Sequence, residues 1–420
     1  MLTQTKKNID LDLTHKKTWE EIGVWPQIIK NVTSEPLLYS KPSKIQAYSI
    51  PIVNADRGAN CIFQSMNGSG KTAAFGIPAI MAVDPKISDT QVLIVANSRE
   101  LIRQTFQNLQ LYARDTGVTV SIGESGKVQP THIVVASPGF FKKNMEGRGS
   151  SLNLEPVRLV CFDEVDELFN NQSTQEQIGH IFSNGFEKLK KQPQFILFSA
   201  TISEDTLKNI QRYINKPIPT AYQVKKEAIK LKNVKQFKIK ANEQQKRKFL
   251  DRFYGELGAT QAMIFVNAKN TAEFLQDLLT NKMGRTACIL TGNLRDDERD
   301  RIIDHFRQGS FPALISTNVL ARGIDVPAVD IVINYDIPQL SDCGFRSPDC
   351  ANYLHRIGRT GRFGTDGIAL TFYNPEMTRE IDETHFINTI EKEWETEIVE
   401  LESFDQFKDI FKQMRPMLFA

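Results

Sequence analysis

Two α/β domains in tandem, each a mostly parallel sheet with helices on both faces, are what this sequence predicts, and three observations carry the prediction. Its 420 residues exceed what one hydrophobic core ordinarily fills, so two cores are expected. Short β-branched runs alternate with amphipathic stretches along the chain, the pattern of successive βαβ units. The runs are apolar throughout, so the sheets they build are covered on both faces.

In chain order, the first half offers strands at CIF near Cys61, QVLIVA from Gln91, HIVVAS from His132, VRLVCFDE from Val157 and FILFSA from Phe195. The pattern pauses from Asn215 to Val234, where two prolines and a cluster of lysines replace the apolar periodicity. This predicts a first domain over residues 1–218, a linker over 219–234 and a second domain over 235–420. The second half resumes with QFKIK, AMIFVN, TACILTG, PALIST, VDIVINY and GIALTFY, separated by helical segments such as DDERDRIIDHFRQG. No short-period repeat or low-complexity tract is visible.

Lys plus Arg number 52 against 50 Asp plus Glu, a net charge of +2, which excludes a whole-molecule positive field; any nucleic-acid site must be built locally. The five cysteines, Cys61, Cys161, Cys288, Cys343 and Cys350, form no C-x-x-C pair, and the first three lie in apolar runs that read as buried strands. All are expected to be reduced thiols of a cytosolic or nuclear protein. MLTQTKKNIDLDL lacks the apolar core of a signal peptide, and no stretch approaches the apolar length of a membrane span. A soluble intracellular protein without a membrane partner is expected.

The sharpest local signal is SMNGSGKT, Ser65 to Thr72, between a predicted strand and the helical AAFGIPAIMA. Gly68 and Gly70 leave room for backbone N–H groups to wrap a phosphate chain at a helix N-terminus. Lys71 is placed to reach β- and γ-phosphates, and the Thr72 hydroxyl to sit on Mg²⁺. Against this stands a chance glycine turn, which the flanking strand and helix disfavour. DEVD, Asp163 to Asp166, follows the apolar run RLVCF. A carboxylate at the C-terminal edge of a strand in such a fold holds Mg²⁺, making Asp163 the metal candidate, and Glu164 can orient or deprotonate the attacking water. Alone, three acids in four residues are more often a solvated loop. In YLHRIGRTGR, a helical start puts His355, Arg359 and Arg362 on one face at i, i+4 and i+7. Guanidinium groups there can neutralise a γ-phosphate held by the other domain. A basic surface helix is the bland alternative.

The order SMNGSGKT, SREL, SPG, DEVD, SAT, ARGID, HRIGRTGR resembles the DEAD-box RNA helicases from Trp19 to at least Gly364. The resemblance implies two RecA-like domains binding ATP, Mg²⁺ and single-stranded RNA or a ribonucleoprotein. KPSKIQ looks like the Q motif, with Gln46 reading the adenine edge, Tyr39 stacking on the ring and Trp19 as an upstream aromatic, or else a core residue. Asn67, Gly68, Ser69 and Gly70 would complete the nucleotide cradle, with Gly323 and Asp325 of ARGID beside the ribose or catalytic water. Arg99, Ser137 and Gly139 would touch RNA from the first domain, and Lys269, Gly292 and Thr317 from the second. Asp166 would hydrogen-bond to Ser199-Ala200-Thr201 and couple hydrolysis to the RNA site. The bland alternatives for these hydroxyls and glycines are helix caps and turns.

Several residues depart from the family pattern. Ser65 stands for glycine or alanine, Asn67 for a small hydroxyl residue, Asn97-Ser98 for Pro-Thr, Val165 for the alanine of the family name, and Asp296 for glutamine. For the paired-glycine RNA motif, Gly123-Glu124 is the nearest candidate. The insertion QLSDCGFRSPDCAN and the tail INTIEKEWETEIVELESFDQFKDIFKQM resemble those of the mRNA-export helicase of the nuclear pore. That membership implies a monomer shared between cytoplasm and nucleus, docking to a nucleoporin at the cytoplasmic face of the pore, and stimulation by an inositol-phosphate-dependent export factor. A translation-initiation-type DEAD-box helicase, a non-turnover ATP-locked RNA clamp and a DNA helicase stay open as alternatives.

Overall fold

The computed structural model describes residues 6–9, 17–65, 68–123, 130–145, 152–215, 217–224, 233–258, 260–291, 294–317, 329–342, 345–361, 366–376 and 383–416. The chain divides into two compact units, Met1–Lys225 and Lys226–Ala420.

The strands of the first unit are β1 (Lys6–Ile9), β2 (Cys61–Gln64), β3 (Val92–Val95), β4 (Val120–Gly123), β5 (Ile133–Ala136), β6 (Leu159–Phe162), β7 (Gln194–Ser199) and β8 (Thr220–Val224). They form one parallel sheet in the order β1-β8-β2-β7-β6-β3-β5-β4. The helices are α1 (Pro26–Thr33), α2 (Lys44–Ala55), α3 (Lys71–Met81), α4 (Arg99–Tyr112), α5 (Pro138–Met145), α6 (Val165–Asn170), α7 (Gln172–Asn184) and α8 (Glu204–Gln211). Both faces of the sheet are covered, as its unbroken apolar strands require. Val92 and Ile94 pack into one cluster, and their neighbours Leu93 and Val95 into another.

The second unit repeats the plan. Its strands are β9 (Val234–Lys240), β10 (Ala262–Val266), β11 (Ala287–Leu290), β12 (Ala313–Thr317), β13 (Ile331–Asn334), β14 (Gln339–Asp342), β15 (Phe345–Pro348), β16 (Gly367–Tyr373) and β17 (Val399–Glu400). Seven make a parallel sheet in the order β11-β12-β10-β13-β16-β9-β17. The helices are α9 (Glu243–Glu256), α10 (Lys269–Asp277), α11 (Asp296–Arg307), α12 (Cys350–Ile357), α13 (Glu383–Trp394) and α14 (Phe404–Met414). Here too Ile264 and Val266 face one cluster while Met263 and Phe265 face the other. The tail forms a helix: α14 lays Phe404, Phe407 and Phe411 against Phe249 and Phe253.

Two readings, on residues 220–224 and on Cys288, need correction, and the insertion gains a structure. Residues 220–224, assigned to the linker, are strand β8, because beyond Pro219 the alternating TAYQV pairs with β2 on one side and β1 on the other. The insertion is a structured element: β14 and β15 form an antiparallel hairpin, and its last residues open α12, where Trp394 Nε1 donates to the Cys350 carbonyl at 2.9 Å. Cys61 and Cys161 are buried thiols outside any disulfide, but Cys288 on β11 is only partly buried; Cys350 likewise forms no disulfide, and Cys343 lies outside the described residues. Among the described residues, no helix is long and apolar enough to cross a membrane.

Candidate active site

Every group at the first site stands at the C-terminal edge of the first sheet, where a doubly wound fold opens its ligand crevice. Strand β2 ends at Gln64 and the chain turns through Gly68 and Gly70, at φ +74° and +95°, into α3. The Ser65 hydroxyl, the departure at this loop, hydrogen-bonds with that of Ser69 and so closes the turn on itself. Gly70 is required twice over: its φ is left-handed, and a Cβ would strike the Gln46 amide. Gly70→Ala is expected to weaken nucleotide binding by about tenfold or more, roughly 1.4 kcal/mol; titration of a fluorescent ADP checks it, and unchanged affinity refutes it.

Lys71, the first residue of α3, is buried, and its Nζ lies 3.0 Å from Glu164 Oε1. The sequence assigns these two groups to phosphate and to water; in the structure they neutralise each other, as buried charges must. Burial acts to lower the Lys71 pKa, but the Glu164, Asp163 and Asp166 carboxylates prevail and raise it. Glu164 Oε2 is buried with no hydrogen-bond partner among the described residues, and Glu164 itself adopts a left-handed φ of +51°. Such a conformation is costly for a residue with a Cβ and is retained mainly where it aims a functional group. Asp163 follows β6 and accepts a hydrogen bond from the Glu164 N–H at 3.0 Å. Burial pushes its carboxyl up to about 7 against the pull of Lys71, with Glu164 adding to the rise. Val165 is fully buried among apolar neighbours, so its extra methyls pack into the core.

Asp166 meets the segment after β7. Its two carboxylate oxygens accept from Ser199 Oγ at 2.7 Å and Thr201 Oγ1 at 2.8 Å. The Ser65 N–H donates to the Ser199 carbonyl at 2.8 Å, so the phosphate loop and the Ser199–Thr201 segment share one hydrogen-bonded edge. Gln46, in the first turn of α2, is buried; its Oε1 accepts from the Ser43 N–H at 2.8 Å and its Nε2 donates to the Gly70 carbonyl at 3.0 Å. Trp19 is a core residue, only 2% exposed, and donates Nε1 to the carbonyl of the half-buried Tyr39 at 3.0 Å.

The expected RNA contacts are more scattered. Arg99 is exposed at the start of α4, which Ser98 caps by accepting from the Leu101 N–H at 3.2 Å; the departure to Asn-Ser therefore keeps a helix cap. Ser137 accepts from the Phe140 N–H at 3.3 Å next to Gly139. Gly123 has a packing reason of its own, since a Cβ would fall 2.6 Å from the Phe140 ring. In the second unit, Lys269 opens α10 and pairs with Glu273 at 3.3 Å, and Thr317 ends β12. Asn67, Gly292, Gly323, Asp325 and Arg362, together with Glu124, lie outside the described residues.

The arginine segment differs from its helical reading. Helix α12 ends at Ile357 with Gly358 as its cap, so His355 is helical while Arg359 lies in the following turn. The Val329 N–H donates to the Arg359 carbonyl at 3.2 Å and Thr360 Oγ1 to the Val329 carbonyl at 2.7 Å, fixing that turn to the chain before β13. Sequence reasoning passed over Arg356. Its side chain is fully buried, donates to Asn334 Oδ1, the Asp336 carbonyl and Asn267 Oδ1 at 3.3, 2.7 and 3.1 Å, and lies over the Phe265 ring. Burial lowers its pKa to about 9, and Asp336 and Asp349 oppose the fall.

Residues 43–210 match the family model described as DEAD/DEAH box helicase, and residues 245–364 the one described as helicase conserved C-terminal domain. The ATP-dependent RNA helicase DBP5 of Candida glabrata is 35% identical over 407 residues, 95% of this chain and 77% of the relative. The chain belongs to the DEAD-box helicase family. It is an ATP-dependent RNA helicase, and its two sheets are RecA-like domains. Its fold is similar to that of S. cerevisiae Dbp5 bound to RNA and ADP BeF3, with a TM-score of 0.84 and 32% identity, covering 96% of this chain and 100% of that one. A variant of the yeast protein bound to Nup159, a Gle1 variant, IP6 and ADP is also similar, with a TM-score of 0.64, 31% identity and coverage of 94% and 100%. In this helicase the glycine loop, Asp163-Glu164 and the Ser199–Thr201 segment lie along one edge of one sheet.

Proposed function

We propose that this helicase hydrolyses ATP in response to RNA in order to remodel messenger ribonucleoprotein for export, working at the cytoplasmic face of the nuclear pore. The observation that carries the catalytic part is the buried Lys71–Glu164 pair beside Asp163, at the lip of a glycine loop. A triphosphate entering the loop supplies Lys71 with a new anionic partner and releases Glu164, whose other oxygen already lacks one, to take a proton from water. In this reading Gln46 tests for adenine, and its bond to the Gly70 carbonyl supports a link from that test to the phosphate loop.

The donor set fits Mg²⁺: Thr72 offers a hydroxyl and Asp163 a carboxylate, hard oxygens of the kind this ion takes. Burial, with Glu164 adding to it, disfavours the charged Asp163 carboxylate despite Lys71, and a dication held there would offset that cost. When bound, Mg²⁺ neutralises phosphate charge. Arg359 and Arg362, with His355, complete the site from the second domain only when ATP and RNA draw the domains together. Arg99, Ser137, Gly139, Lys269, Gly292 and Thr317 hold the RNA backbone, while Asp166, Ser199 and Thr201 tie that strand to the nucleotide. The domains run over residues 1–218 and 235–420, with β8 joining the first.

Two features support export over a translation-initiation role: the hairpin formed by the insertion and the likeness to a Dbp5 solved with Nup159, Gle1 and IP6. Steady-state phosphate release with RNA, with DNA of the same sequence, and with RNA plus Gle1 and IP6 tests the reading. RNA-specific stimulation that rises further with Gle1 and IP6 is expected. Stimulation by RNA without any response to the factor overturns the export role, and equal stimulation by DNA overturns the RNA role.

A further inference from the structure

Three hydrogen bonds in the second unit close a ring around Asp336, in the short segment of residues 335–338 between β13 and the inserted hairpin. Asp336 Oδ2 accepts from the Asn267 N–H at 2.8 Å; the Asp336 carbonyl accepts from Arg356 Nη1 at 2.7 Å; and Arg356 Nη2 donates back to Asn267 Oδ1 at 3.1 Å. A fourth bond, from Asn267 Nδ2 to the Ile337 carbonyl at 2.7 Å, ties the asparagine to the same loop. The other Asp336 oxygen lies 3.7 Å from Lys246, a buried lysine of α9 that also pairs with Glu243 at 3.0 Å.

The ring joins three separate pieces of chain, at the start of α10, at the end of β13 and in the last turn of α12. From the ring it is two residues to Lys269 and three to Arg359. Backbone stretches that short, one entering a helix and the other pinned by the bonds of Val329, transmit a displacement rather than absorb it. We propose that Asp336 and Asn267 are positioning residues: through Arg356 they couple RNA contact at the start of α10 to placement of Arg359 at the nucleotide. Neither touches the reacting atoms. The ring makes the start of α10 and the turn after α12 move as one body, so that RNA seated on α10 also fixes the arginine. This inference rests on the proposed RNA-stimulated reaction.

The test compares the full chain with Asn267→Ala, Asp336→Ala and Asp336→Asn, the last retaining an oxygen that can accept from the Asn267 N–H. Phosphate release is measured without RNA and across an RNA titration, alongside ADP affinity and thermal melting. For both alanine variants the rate at saturating RNA is expected to fall about tenfold, the size of a coupling of typical strength. The RNA-free rate, ADP affinity and half-saturating RNA concentration stay near those of the unaltered protein. Asp336→Asn recovers most of the lost rate. Asn267, exposed on the surface, provides the test should Asp336→Ala melt early. A rise in half-saturating RNA with the maximal rate intact would overturn the proposal, because these residues would then serve RNA binding alone. Equal losses with and without RNA, or no loss in Asn267→Ala, would overturn it as well. Absence of RNA stimulation in the unaltered chain is a different failure, which removes the reaction the coupling serves.

Discussion

Arg359→Ala is expected to lower RNA-stimulated turnover by about 10³–10⁵-fold while leaving ATP affinity close to that of the unaltered helicase. The magnitude is that of removing an arginine that meets charge developing on a transferred phosphoryl group; it corresponds to about 4–7 kcal/mol of barrier. Affinity is spared because the phosphate cradle, Lys71 and Gln46 all belong to the first domain. The turn that carries Arg359 is held by the Val329 N–H bond to the Arg359 carbonyl and by the Thr360 hydroxyl bond to the Val329 carbonyl, neither of which uses the side chain that the substitution removes. Single-turnover phosphate release at saturating RNA and ATP is the measurement. A loss smaller than threefold would sink the role assigned to the second domain.

The neighbouring Arg356 shows why this segment was only half legible. In sequence the three arginines of HRIGRTGR are equivalent, and helical spacing singles out His355, Arg359 and Arg362 by leaving Arg356 on another face. Spacing cannot say that the other face is the sheet, nor that Asn334, Asp336 and Asn267 wait there with acceptors. Those partners come from two other segments of chain, far from Arg356 in sequence. The helix was also read too long: Gly358 stops it, and Arg359 gains its position from tertiary bonds rather than from helical phase.

Most strands were legible for a simple reason. A strand buried on both faces must be apolar at successive positions, and VLIV, IVVA, LVCF and IVIN announce this directly. The strands that were missed lie at edges or outside the main sheets, where that constraint is relaxed. Strand β4 is an edge strand of mostly half-buried residues, β1 is a polar four-residue edge, and β14 and β15 pair only with each other. Strand β8 is internal, but only because β1 covers it, and lysine-rich sequence follows it closely. At the site, the loop and DEVD were each readable from local pattern. Their ion pair was not, because 93 residues separate Lys71 from Glu164 and only the parallel sheet brings β2 and β6 to the same edge.

That ion pair makes Glu164→Gln the sharper of the two large-effect experiments. The amide keeps the shape of the side chain and can still accept from Lys71, so the loop should fold and bind nucleotide. What it cannot do is accept a proton from water. Turnover is expected to fall by about 10²–10⁴-fold, the range general-base catalysis contributes. With the base gone but Asp163, the cradle and the arginines intact, ATP and RNA should still close the enzyme and then remain bound, so RNA dissociation in ATP becomes slower than in the unaltered protein. The same pair of measurements separates an enzyme from an ATP-locked clamp. A clamp already holds RNA with negligible turnover, and Glu164→Gln would change neither quantity. If turnover survives the substitution, the proton must go elsewhere, and the unpartnered Glu164 oxygen loses its assigned purpose.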